Sequence, residues 1–186
     1  MGQVKLKTLI DCSDERLKAV ILFAVNTGMR LGEIQGLKWG DADFARGFLT
    51  LRETKNGETR YVPMNRAVRE TLHNLKMTAK DQNSYIFCNK FGNLYNPRVP
   101  FKRALTKAKI SDFKFHDLRH TAASYLAMSG IDLNTIRAIL GHKSIRMVLR
   151  NAHLSDTHQA NAVAVLDEKM DTIWSSRAKE LLNAGN

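Results

Sequence analysis

The sequence predicts an α+β fold that is mainly helical and carries one small antiparallel sheet. Apolar residues recur at helical spacing over most of the chain, whereas around Asn56-Gly57 the apolar period drops to two. At 186 residues and 44% hydrophobic, the chain is long enough for one real core and too apolar to be disordered. A single domain over residues 10–186 is expected.

Each element has a local cause. Ser13-Asp14-Glu15 followed by Leu17, Val20, Ile21, Ala24 and Val25 reads as an N-capped amphipathic helix ending near Gly28. A short helix over Leu31 to Leu37 follows. Phe48, Leu49 and Leu51, then Tyr61 and Val62, flank Asn56-Gly57, the strongest short-range signal for a two-residue hairpin loop, which puts Lys55 and Glu58 at the tip. Asn65 caps a helix bearing Val68, Leu72 and Leu75, and Tyr85-Ile86-Phe87 is expected to be one further strand before the Asn96-Pro97 turn. The remainder reads as helices over Pro97 to Lys109, His116 to Ser129, Asp132 to Leu140, Ser144 to His153 and Asp156 to about Met170. Gly130 and Gly141 stop two of them.

Charge narrows the partner. Twenty-nine Lys and Arg against 18 Asp and Glu leave a net +11, which on one domain points to a polyanion, nucleic acid ahead of an anionic membrane surface. The longest apolar run, Ala19 to Val25, is far short of the roughly 20 residues that span a bilayer. The residues after Lys5 and Lys7 are interrupted by Asp11, Asp14 and Glu15, unlike the apolar heart of a signal peptide, so a cytoplasmic location is expected. Cys12 and Cys88 are expected to be reduced. Arg98 and Lys102, and Arg103 and Lys107, are each four apart and share helical faces; with Lys143 and Arg146 they are the candidate DNA contacts.

His116-Asp117-Leu118-Arg119-His120 admits two readings. Histidines four apart superficially resemble the zinc pair of a metalloprotease, but the residue after the first is Asp117 rather than the Glu that would serve as base. No metal is therefore expected, and a metal-dependent hydrolase is a distant alternative. The other reading puts His116 and Arg119 on one face, where imidazole and guanidinium reach the same phosphate.

Taken with Thr27-Gly28-Met29-Arg30-Leu31-Gly32-Glu33-Ile34 and Leu140-Gly141-His142, in this order and at these intervals, the chain resembles the catalytic domain of the tyrosine recombinase, or phage integrase, family. The resemblance runs from about residue 10 to about residue 166. It implies a mainly helical catalytic domain with a small sheet that cuts and rejoins DNA through a 3′-phosphotyrosyl intermediate, without metal or nucleotide cofactor. Residue by residue, it assigns Arg30, His116, Arg119 and His142 to the phosphate. Lys55 becomes the proton donor to the leaving 5′ oxygen, and Glu33 a supporting residue that orients the site. It also implies duplex DNA recombination sites as partner, a homotetramer in the full-length synaptic complex against a monomer for the isolated domain, and a separate N-terminal DNA-clamping domain not found in this chain. The apolar stretch from Ala160 to Leu182 either docks on a neighbouring subunit or packs on its own domain.

One position departs from the pattern. Nine residues after His142, where the family places its nucleophilic tyrosine, stands Asn151, and Val148 takes the place of the usual threonine. An amide nitrogen, its lone pair delocalised, cannot form a stable ester with phosphorus. Tyr61, Tyr85, Tyr95 and Tyr125 are better explained by packing. The expectation is a recombinase catalytic domain deficient in its nucleophile; the alternative is a non-catalytic DNA-binding regulator derived from an integrase. From the charge alone, affinity for duplex DNA should fall with salt at a log-log slope of about −0.9 per phosphate contacted, which a titration of binding between 50 and 300 mM salt would read. A flat dependence would remove the electrostatic reading.

Overall fold

A computed structural model describes residues 3–52, 59–76, 84–89 and 91–141 of the chain. Among these, seven helices surround a three-stranded sheet. In chain order they are α1 (Gln3–Asp11), α2 (Glu15–Thr27), α3 (Leu31–Gly36), β1 (Ala42–Asp43), β2 (Phe48–Leu51), β3 (Arg60–Pro63), α4 (Arg66–Lys76), α5 (Arg98–Lys107), α6 (Asp117–Met128) and α7 (Leu133–Leu140). A 3₁₀ turn over Trp39–Asp41 leads into β1. None of the helices among the described residues is long and apolar enough to cross a membrane.

The organising element is α2. Its apolar residues are not confined to one stripe: Leu17, Val20, Ile21, Phe23 and Ala24 are all buried, so the helix is covered on several sides, with α4 and α6 as its main neighbours. Phe23 meets the ring of Phe87 edge to face at 5.0 Å. The helix begins at Asp14, whose Oδ1 accepts the Leu17 amide at 2.8 Å, one residue later than the Ser13 start that the sequence suggested. Ser13 instead donates to the carbonyl of Leu9 at 2.7 Å. That bond closes α1, a helix the sequence reading passed over because Lys5, Lys7 and Asp11 interrupt the pattern. Leu6, Leu9 and Ile10 nevertheless fall at helical spacing, and Leu9 is fully buried in the main core.

The sheet is antiparallel in the order β1-β2-β3. The expected strands around Phe48 to Leu51 and Tyr61-Val62 form, but the register corrects the expected loop. Leu51 pairs with Arg60, whereas an uninterrupted two-residue loop at Asn56-Gly57 would set Leu51 against Val62. The tip itself, with Lys55, lies outside the described residues. A second correction concerns Tyr85-Ile86-Phe87, which is not a strand: it makes the isolated bridge Lys38↔Tyr85, and Cys88↔Leu94 forms another. The backbone of Ile86 bonds to Leu37 and that of Tyr95 to Phe87, so the segment is stitched to the core by single contacts rather than a ladder. The predicted caps at Asn65, which accepts the Val68 amide at 3.0 Å, and at Gly141 are present. The predicted helices from Ser144 onward lie outside the described residues.

Where α2 ends, the chain turns at Gly28 in the left-handed region, φ 62°. A Cβ there would stand 2.1 Å from Leu140 Cδ2 of α7 and 3.7 Å from Ala122 of α6, so the missing side chain is what lets three helices converge. Gly28→Ala combines a left-handed penalty of roughly 1–2 kcal/mol with a steric clash, and thermal or urea unfolding should register a loss of at least about 2 kcal/mol. An unchanged midpoint would show that the three helices tolerate separation.

Candidate active site

The site is built around the turn that Gly28 makes possible. Thr27 donates its hydroxyl to the Phe23 carbonyl at 2.7 Å and accepts the Met29 amide at 3.3 Å, which ties the exit from α2 to its own last turn. The chain then passes into Arg30, the extended residue that starts α3. Glu33 folds back to accept the Arg30 amide at 2.9 Å, a carboxylate at the third helical position satisfying an otherwise orphaned N–H. Its other oxygen takes Arg30 Nη1 at 2.8 Å. The spacing Arg-x-x-Glu is thus both a helix start and an ion pair.

Arg119, on the first turn of α6, is buried to 2% exposure. Its Nη1 donates to the carbonyl of Gly28 at 2.7 Å, joining two motifs that lie 91 residues apart. Burial pushes its pKa down to about 10; the fields of Arg30 and Arg60 push the same way, and Glu33 opposes them. It is therefore still a cation at neutral pH.

His116 immediately precedes α6 and keeps a solvent-exposed edge. Its ring stands perpendicular to that of His120, centroids 4.8 Å apart. Partial withdrawal from water lowers its pKa first, helped by His120, Arg119 and Arg30, while Asp117 opposes. His116 is accordingly a neutral imidazole at pH 7, able to donate one N–H. Among the described residues no group of three or more His, Cys, Asp and Glu gathers to hold a metal.

The sequence reading missed Arg60. It lies on β3, two residues before the buried Val62 and so on the same side of the strand, and its side chain is 12% exposed. Its Nη2 donates to Glu33 Oε2 at 2.8 Å and its Nη1 to the carbonyl of Ile139 in α7. A charged residue on the inward side of an amphipathic strand was the available signal, since such a charge requires a partner. Arg30 Nη2 reaches the next part of the same turn, the Gly141 carbonyl, at 3.2 Å.

Of the expected site residues, Arg30, Glu33, His116 and Arg119 therefore come together in one electrostatic neighbourhood. Lys55, His142 and Asn151 lie outside the described residues, as do Lys143 and Arg146. Arg98, Lys102, Arg103 and Lys107 are exposed on α5, whose Phe101 and Ala104 are buried against the core. Tyr125, on the same helix as Arg119, lines an apolar groove of about 410 Å³ with Gly28, Val62, Leu126 and Leu140; none of Arg30, His116 and Arg119 lines it.

Residues 2–158 match the phage integrase family. The chain belongs to that family. It is 30% identical over 182 residues to the integrase of Salmonella phage P22, covering 89% of this chain and 46% of that protein. The crystal structure of XerA recombinase superposes with a TM-score of 0.71 at 26% identity, over 88% of this chain and 62% of that one. An integrase of the Tn1549 transposon, solved in complex with circular intermediate DNA, shares the fold with a TM-score of 0.73 at 20% identity, over 88% of this chain and 64% of that one. The chain spans about half the length of the curated relatives it matches. The mainly helical fold with a small antiparallel sheet is that of the family's catalytic domains.

The depressed pKa of His116 has a readable consequence. An anion bound among Arg30, Arg119 and His116 would favour the imidazolium, so inorganic phosphate should raise the His116 midpoint, which starts below that of an ordinary histidine. An NMR titration with and without phosphate checks the direction. A midpoint that phosphate leaves unmoved would place the anion elsewhere.

Proposed function

We propose that residues 10–186 form the catalytic domain of a site-specific DNA recombinase, with a phosphodiester site in working order and no nucleophile to attack it. One observation carries this reading: the guanidiniums of Arg30 and Arg60 share the single carboxylate of Glu33, and the buried guanidinium of Arg119 stands within the field of all three. The surplus positive charge suits a phosphodiester, whose transition state gathers negative charge on its non-bridging oxygens. Arginine forks match those oxygens in pairs, and neutral His116 adds a donor without adding a repelling charge.

In the proposed chemistry a tyrosine hydroxyl releases its proton to solvent and its oxygen bonds to phosphorus as the P–O5′ bond breaks. The protein is then esterified to the 3′ side and the 5′ oxygen takes a proton, the role assigned to Lys55. His142 would add a further donor to the phosphate. Rejoining runs the same steps backwards. With Asn151 at the attacking position the first bond cannot form, so this chain binds and polarises the phosphodiester without cleaving it. The exposed cations of α5 supply phosphate contacts outside the site, consistent with the DNA carried by the Tn1549 integrase structure. The complete recombinase is proposed to act as a homotetramer on duplex recombination sites.

Asn151 also favours a second reading, a DNA-binding regulator that keeps the fold and has given up cleavage. Nicked duplexes that trap cleavage separate the two. The Asn151→Tyr variant is expected to form a covalent protein-DNA adduct on a denaturing gel, and Arg119→Ala in that background to reduce it by at least about 100-fold. No adduct from Asn151→Tyr would favour the regulator. An adduct from the unchanged chain would show that another tyrosine attacks.

A further inference from the structure

The phosphate reading uses the charge of Arg60 but not the way its side chain is held. Arg60 is held on three sides. Its Nη2 bonds to Glu33 Oε2 at 2.8 Å, its Nη1 bonds to the Ile139 carbonyl, and a Cβ on Gly141 would stand 2.7 Å from its Nε, so its stem lies flat against the last turn of α7. The Glu33 carboxylate it holds is the one that grips Arg30 through both side chain and backbone. Arg30 in turn reaches the Gly141 carbonyl at 3.2 Å. Arg60, Glu33, Arg30 and Gly141 therefore form a closed ring of contacts linking β3, α3 and the end of α7.

We infer that Arg60 is a positioning residue, resting on the phosphate site proposed above: it fixes the Glu33 carboxylate that aims Arg30, and pins the backbone of α7 at the residue immediately before His142. Two features separate this role from simple addition of positive charge. A planar fork can meet Glu33 and the Ile139 carbonyl at once from different nitrogens, which a single ammonium cannot. Its side chain is also 12% exposed, against 37% for Arg30, so Arg30 is the more open of the two to an arriving anion. Without Arg60, Glu33 Oε2 would keep the Arg30 amide but lose the guanidinium that sets its angle.

The discriminating variant is Arg60→Lys, which keeps the charge and removes the fork. Two measurements on the full chain test it. In the first, inorganic phosphate is titrated against the His116 ring signals. Arg60→Lys and Glu33→Gln should each weaken phosphate binding about 10-fold, and the double variant should be no weaker than the worse single, because both act through the aim of Arg30. An affinity within twofold of the unchanged chain, or losses that multiply, would overturn the positioning role. In the second, amide exchange at Gly141, whose N–H bonds to the Ala138 carbonyl at 3.2 Å, should speed up about 10-fold in Arg60→Lys while amides of α2 keep their protection. Unchanged exchange at Gly141 would overturn the clamp on α7 whatever the phosphate result. Phosphate binding that is absent, or that survives Arg119→Lys undiminished, would instead sink the phosphate reading, and the positioning role with it. An altered Gly141 exchange would then describe a structural clamp only.

Discussion

A single carboxylate makes the rest of this site possible. Unit charges about 5 Å apart at an effective dielectric near 20 repel by roughly 3 kcal/mol, so guanidiniums gathered beside one another would drive the elements that carry them apart. Glu33 prevents that by spending one oxygen on Arg30 and the other on Arg60 and the Arg30 amide. The same carboxylate starts α3, because the amide it accepts would otherwise be an unsatisfied helix-start donor. Helix initiation, the attachment of β3 and the orientation of Arg30 therefore share one cause. Substituting Glu33 by an uncharged residue would disturb all three together rather than one at a time.

Arg119 shows how the fold and the site constrain each other. Burying a guanidinium is unfavourable unless its donors are met, and here one is met by a backbone carbonyl that only a left-handed turn presents. The glycine that allows the turn also admits Leu140 of α7 to within contact of α2. A larger residue at position 28 would separate the helices and withdraw the acceptor from Arg119 at the same time. Burial leaves Arg119 fixed in direction and still charged, the combination that lets a cation act on an anion without reorganising when it arrives.

The parts legible in the sequence were those with local causes. The cap at Asn65, the stops at Gly28 and Gly141, and the alternation in β2 and β3 all follow from neighbours within four residues. Arg30, Glu33, His116 and Arg119 were found through spaced motifs, and the structure brings them together. Arg60 was not found, because its partners Glu33 and Ile139 are 27 and 79 residues away and no spacing rule connects them. The sheet register escaped for a related reason: Asn56-Gly57 argues for a loop locally, whereas Leu51↔Arg60 pairing brings Arg60 to the site. The strand expected at Tyr85 to Phe87 failed because β propensity does not supply a neighbouring strand, and single bridges to Lys38 and Leu94 were what the fold had to offer.

Binding a phosphodiester and breaking it are separable demands on such a site, and they differ in how they are held. The cationic half rests on interlocked contacts among α3, β3, α6 and α7, where losing one member strands the charges of the others. In the proposed reading the attacking group is a single side chain, the one at position 151. Among the described residues the members of the Glu33 ring hold one another, so on the proposed reading a site without its nucleophile keeps its charge, and removing Arg30 or Arg60 would cost the fold as well as the chemistry. On that reading, Asn151 can coexist with the arginines that the Glu33 contacts hold in place. That reading also makes persistence of the arginines weak evidence for retained cleavage, because the same contacts that would hold a phosphodiester hold α7 to the sheet.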